Sequence, residues 1–337
     1  MNKANIVKTS NILIKILIII LSFGFIYYQL FIKYSSHFFV NSFKSLLSHP
    51  NASIVLLIVI FMMIFNWSIE TLKWQYLIKK IERVSFFRAF SAVLAGLTVS
   101  SFTPNRTGEY FGRVFILNKA NRWEGTFITF VGSISQLLVT LIVGSFSLLF
   151  CVVSKNPAIQ INTHLVYVSL PLISFLVAAL FSILYFEISW LKMILHKIIP
   201  KRYELFRSHL EIFSYYSYKN LLITLSYSFA RYLVFSFQFY LLFRICNVPL
   251  PFFDGILIIS CVFLIMTAIP TIALSELGVR GSVCIFLMEN YFSANAVNLS
   301  NISSNAFIAS GMIWFINLII PAIIGGAFVL KLKFFRK

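Results

Sequence analysis

The chain has 337 residues, 59% hydrophobic and 11% charged, with a mean hydropathy of +0.89. Soluble domains carry about a quarter charged residues, so this composition excludes a soluble globular protein and points to an all-α polytopic membrane protein, one transmembrane domain over 1–337. The formal charge of +18 is spread over short segments between apolar runs, which argues against a nucleic-acid face and fits membrane orientation beside anionic headgroups.

Crossing a hydrocarbon core of roughly 30 Å takes about 20 apolar residues. Windows of that kind lie at about 11–32, 52–72, 125–153, 164–187, 219–243 and 304–330, which predicts six full spans. The first follows Lys3, Lys8 and Lys15 as a signal peptide would, but it is longer than a signal core and has no small-x-small cleavage site. It reads as a retained span. Glu70 and Glu187 fall near predicted span ends and read as interfacial, with a pairing to Arg231 as the alternative.

Two further apolar regions, 86–118 and 252–290, are interrupted in the middle by proline and charge. They predict broken, re-entrant helical elements. The segment 188–218 is a basic connection in which Trp190–Phe213 alternates Trp, Leu, Ile and Phe with Lys, Arg and His. It suits an amphipathic helix on the inner leaflet, broken at Pro200.

Lys and Arg concentrate on the cytoplasmic side of short loops. If both interrupted regions return to the side they came from, segments 3–15, 73–88, 119–122, 192–219 and 331–337 share one side and hold twenty of the 28 basic residues. The other side holds four, so both termini are expected to be cytoplasmic. Arg106, Arg113, Arg231 and Arg280 remain at predicted membrane depth.

Three of those arginines belong to two related stretches, "SSFTPNRTGEYFGR" ending at Arg113 and "TAIPTIALSELGVRGS" starting at Thr267. Pro104, Glu109 and Arg113 match Pro270, Glu276 and Arg280, with the glutamates 167 residues apart. Gly108 and Gly112 accompany the first motif and Gly278 the second. Each motif sits between two long spans, and each half, 11–154 and 164–331, has one more span before it. Three crossings and one re-entrant element per half give the halves opposite orientation, the inverted repeat of many transporters.

Each proline marks a helix break or start. The residues that follow it expose free N–H groups and a partial positive charge. Glu and Arg four apart share a helix face and can pair. A lone arginine at the bilayer centre costs about 2.5–3.5 kcal/mol, so partners or water must be present. Arg106, Glu109, Arg113, Arg231, Glu276 and Arg280 are therefore the candidate substrate-binding residues, lining a polar cavity that holds a phosphate-like headgroup. In the alternative reading each Glu–Arg pair is a structural staple without a substrate.

Other chemistry finds no pattern. Cys151, Cys246, Cys261 and Cys284 are scattered through apolar runs and read as packing residues. There is no HExxH, P-loop, GxGxxG or GxSxG. No catalytic residue, metal or cofactor is assigned, and the protein is not expected to be an enzyme.

The "TPNRTGE" stretch with Arg113, and "IPTIALSELGVRGS", resemble the two signature segments of the lysylphosphatidylglycerol synthase transmembrane-region family, the flippase half of multiple peptide resistance factor proteins. The resemblance covers essentially the whole chain. It implies a multi-pass protein of the bacterial inner membrane that moves an anionic phospholipid or lipid-linked headgroup between leaflets. The sequence departs from the family at Ile272, Ala273 and Leu274, where glycine is frequent, and stops at Lys337 without a soluble aminoacyl-transfer domain. It is not expected to make lysylphosphatidylglycerol. A membrane-embedded transferase on lipid-linked substrates, or an accessory subunit serving a lipid-modifying partner enzyme, stand as alternatives.

Overall fold

The computed structural model describes residues 13, 51–101, 103, 106–154, 164–270, 273–292 and 299–329. Among these residues the protein is helical with no strand, an all-α polytopic membrane protein. The span expected at 11–32 and Pro104 lie outside the described residues. Four helical stretches, Ala52–Ile78, Arg122–Val153, Ser169–Phe186 and Asn301–Val329, are long and apolar enough to cross a membrane. They agree with four of the expected spans. The stretch expected at 219–243 is a helix of 28 residues, but Lys219, Arg231 and Arg244 interrupt its apolar character.

In chain order the first long helix is α1 (Ala52–Ile78). A hairpin follows, α2 (Phe86–Ser100) and the short α3 (Gly108–Val114). Helix α4 (Arg122–Val153) begins where the Asn121 side chain accepts the Trp123 N–H at 2.9 Å, with Glu124 in the first turn against the helix dipole. After α5 (His164–Phe186), α6 (Ile188–Ile198) ends before Pro200. One 3-10 turn, Lys201–Tyr203, then leads through α7 (Glu204–Ser208) to a second, His209–Tyr215. Helix α8 (Tyr218–Ile245) starts on a reciprocal Ser217–Asn220 capping box. A second hairpin, α9 (Phe252–Ala268) and α10 (Ala273–Phe292), precedes α11 (Leu299–Trp314), a π turn at Phe315–Ile319, and α12 (Ile320–Val329).

The two hairpins each start and finish at one place. Glu82, ahead of α2, accepts the backbone N–H groups of Asn118, Lys119 and Ala120 beyond α3 at 3.1, 2.8 and 3.0 Å. In the second hairpin the Tyr291 hydroxyl, near the end of α10, donates to Asp254 at the start of α9 at 2.7 Å. A charged group thus ties the two ends of each hairpin.

The halves exchange contacts. Helix α2 packs on α12 and α9 on α4, while α1 lies along α8. A Cβ at Gly144 of α4 would come within 2.7 Å of Leu264 of α9, and one at Gly325 of α12 within 2.1 Å of the Leu94 carbonyl of α2. Beside Gly325, Thr98 donates to the Ala322 carbonyl at 2.7 Å. Glycine lets the backbones meet without a side chain between them. On the outside, α1 and α5 present Leu57, Phe61, Leu172 and Leu176 with more than half their surface uncovered, as a lipid-facing surface would.

Within the basic connection α6 ends before Pro200 and short helical turns follow. Trp190, Met193, Ile194 and Ile198 of α6 are exposed, whereas Leu210, Ile212 and Phe213 are buried. Phe213 lies against Phe127 of α4, ring centroids 5.5 Å apart. All four cysteines are buried and free, in keeping with packing residues.

Candidate functional site

The site begins on one face of α1. Asn66, Glu70 and Lys73 are four and three residues apart, which stacks them along one side of a helix. Helix α1 continues to Ile78, beyond the span end expected at residue 72. That extension corrects two expectations: Glu70 is not interfacial but 4% exposed, and Lys73 does not belong to an inner loop but is 1% exposed. Charges buried to this degree require partners, and Glu70 has three. Its carboxylate receives Arg113 at 2.9 Å, Arg231 at 3.0 Å and Lys73 at 2.8 Å. Lys73 also donates to the Gly132 carbonyl and the Ser228 hydroxyl, so all three ammonium donors are taken up. Glu187, the other carboxylate read as interfacial, is exposed at the α5–α6 junction.

Arg231, on α8, is fixed from three directions. Its Nε donates to Asn66 at 3.1 Å, its Nη1 to Glu70, and its guanidinium stacks 4.8 Å from the Trp67 ring centroid. Asn66 in turn donates to Asn317 at 3.4 Å. Asn317 sits in the π turn, an irregularity found frequently at functional sites.

The second cluster is centred on Glu276, near the start of α10. Arg280 pairs with it across one helical turn. Arg106, from the other hairpin, brings one Nη2 nitrogen to both carboxylate oxygens at 2.9 and 2.7 Å. The two motifs therefore meet in space. Arg106 takes a φ of 56°, the left-handed region that costs a non-glycine residue about 1–2 kcal/mol. Its contact with Glu276 occupies an unfavourable backbone conformation, a pattern that clusters at functional positions.

A cavity of ≈530 Å³ lies between the clusters. Arg106, Glu276 and Arg280 line it together with Arg231, while Trp67, Phe235 and Trp314 supply apolar wall. Glu109 and Arg113 do not line it. The expected Glu109–Arg113 pair forms, but Arg113 is 2% exposed and held by Glu70. Its place is in the scaffold.

The motif glycines and prolines also divide. A Cβ at Gly112 would come within 2.5 Å of the Gly96 Cα, and one at Gly108 within 2.6 Å of the Val99 carbonyl, so both let α3 press on α2. Gly278 lies within α10, and Pro270 in the non-helical link on the cavity wall. Helix α3 has seven residues, too few to offer the helix N-terminus that the sequence suggested as an anion site.

The description Lysylphosphatidylglycerol synthase TM region matches residues 12–325, nearly the whole chain. The chain belongs to that family. No curated protein and no solved structure matches it. Membership makes it a multi-pass membrane protein associated with lipid handling. Within the family match, both motifs and the α1 face that pairs with them fall inside the matched residues.

Sequence reasoning missed Lys73, Asn66 and Asn317, and held the Glu70–Arg231 pairing, which forms, only as the alternative. The signal for Asn66, Glu70 and Lys73 was a polar face repeating within an apolar helix, hidden because hydropathy placed the span end too early. Asn317 carried no comparable signal, because it is a single amide in an apolar run.

Proposed function

We propose that the protein is a lipid translocator of the bacterial inner membrane, moving an anionic phospholipid or lipid-linked headgroup between leaflets through the cavity while the acyl chains stay in the bilayer. The observation that carries this reading is the Arg106–Glu276 contact, by which one hairpin closes on the other at the edge of a cavity that also holds Arg231 and Arg280. Arg106 keeps 37% of its side-chain surface exposed, so it can leave Glu276 for an incoming phosphate. Charge-assisted Arg–phosphate bonds favour that exchange. Release of Arg106 would then free the hairpins to move.

The reciprocal packing of α2 on α12 and α9 on α4, and the tied ends of both hairpins, support reading the hairpins as re-entrant elements of an inverted repeat. On this reading both termini are cytoplasmic. Buried ionisable groups at membrane depth are functional by default, and the cavity combines them with an aromatic wall suited to a lipid.

The test is leaflet exchange of headgroup-labelled anionic and zwitterionic lipids in liposomes holding the purified protein. Exchange of an anionic lipid is expected from the native protein, and a drop of at least about tenfold from the Arg106→Gln, Arg280→Gln double variant. Full exchange by that variant would remove these residues from the path. Modification of lipid headgroups by the purified protein alone would favour the transferase reading.

A further inference from the structure

The clusters do not balance. Arg106, Arg113, Arg231, Arg280 and Lys73 face Glu70, Glu109 and Glu276, five cations against three carboxylates. Arginine is always charged, and Lys73 has the donor pattern of an ammonium. The excess is two positive charges.

Nothing else in the chain can neutralise it. All ten acidic residues lie among the described residues, and the segments outside them contain no Asp or Glu. The other seven are placed elsewhere. Glu82 is held by the amides after α3, Glu124 faces His209, and Glu211 pairs with Lys192. Asp254 accepts from Tyr291 and Glu289 from Ser303, while Glu187 and Glu204 are exposed. Uncompensated charge inside a membrane protein is expensive, so an anion from outside the chain that entered the cavity would be stabilised there.

The cavity wall also carries unpaired donors. Arg280 Nε and Trp67 Nε1 have no hydrogen-bond partner among the described residues, and both side chains are more than nine-tenths buried. A buried donor left unpaired costs about 1–3 kcal/mol, a cost that an anion's oxygens would remove.

We propose that the cavity takes a dianionic phosphoryl group, a phosphomonoester or a diphosphate diester, in preference to the singly charged phosphodiester of an ordinary glycerophospholipid. The lipid as its source rests on the translocator reading; the charge of the group does not. A dianion brings the clusters to neutrality, whereas a phosphodiester leaves one positive charge over.

The experiment compares binding of dioleoyl phosphatidic acid with that of dioleoyl phosphatidylmethanol to the purified full chain in detergent. The methyl ester keeps the tails and removes one negative charge. Phosphatidic acid is expected to bind at least about tenfold tighter at neutral pH. That preference should fade as the pH falls below about 6, where the phosphomonoester dianion takes up a proton and becomes a monoanion. Equal affinities at neutral pH would overturn the proposal.

The Gln136→Glu variant adds one carboxylate to the cavity wall and should bring the two lipids to near parity. An unchanged preference in a folded variant would also count against the charge argument. The pH series on the native chain stands if that variant does not fold. Methyl phosphate, a dianion without tails, binding as tightly as phosphatidic acid at neutral pH, without leaflet exchange, would uphold the dianion site and overturn the lipid reading instead.

Discussion

The two hairpins carry the same proline, glutamate and arginine pattern yet use it differently. In the first, α3 has seven residues and lies on α2 through Gly96, Gly108 and Gly112, and its Arg113 points away from the cavity to Glu70. In the second, α10 has 20 residues, and Glu276 and Arg280 face the cavity along with the α9–α10 link. Arg106 is what the first hairpin contributes to the shared site. A repeated motif fixes which residues share a helix face; the docking of neighbouring helices decides whether that face meets a cavity or a buried carboxylate.

The strongest way to break this contrast is to remove the central carboxylate of each cluster. Glu70→Gln leaves Arg113, Arg231 and Lys73 without their counter-charge, and a stability loss of about 3–5 kcal/mol is expected, read by thermal unfolding in detergent. Glu276→Gln should cost less, about 1–3 kcal/mol, because Arg106 can turn to water. Equal losses would mean that the clusters are equally structural.

The glycines sharpen it further. At Gly112 an added Cβ meets backbone, the Gly96 Cα at 2.5 Å, while at Gly281 it meets the Phe307 ring, which can shift. Gly112→Ala is expected to cost about 1–3 kcal/mol and Gly281→Ala less, with the ratio measured in the same unfolding assay.

The smallest effect concerns the ties at the hairpin ends. Burial alone would raise the Glu82 carboxyl, but the amides of Ala120, Lys119 and Asn118, helped by Arg88, hold it below its ordinary value of 4.5. Its contribution is therefore present above that value and lost as the pH falls through the lowered one. Glu82→Ala should cost about 1 kcal/mol at neutral pH and flatten the acid limb of the stability profile. An acid limb unchanged in the variant would assign the tie no energetic role.

Much of this was legible in the sequence. The apolar windows gave the long helices, the prolines and charges gave the hairpins, and the four-residue spacing gave both Glu–Arg pairs. What stayed hidden depends on long-range docking. Hydropathy ends the span of 52–72 between Glu70 and Lys73 because it counts charge as water-facing, whereas here charge is paired inside the protein. The left-handed Arg106 and the π turn at Asn317 likewise follow from where their partners sit. No local pattern announces them.

The most direct test compares the two motif arginines, Arg113→Gln and Arg280→Gln, by anionic-lipid exchange in liposomes, expressed per folded molecule. Arg280→Gln should fold and lose at least about tenfold in exchange, while Arg113→Gln should be less stable yet exchange normally in the fraction that folds. Equal loss per folded molecule in both variants, or full exchange in Arg280→Gln, would contradict the division of the motifs into scaffold and cavity.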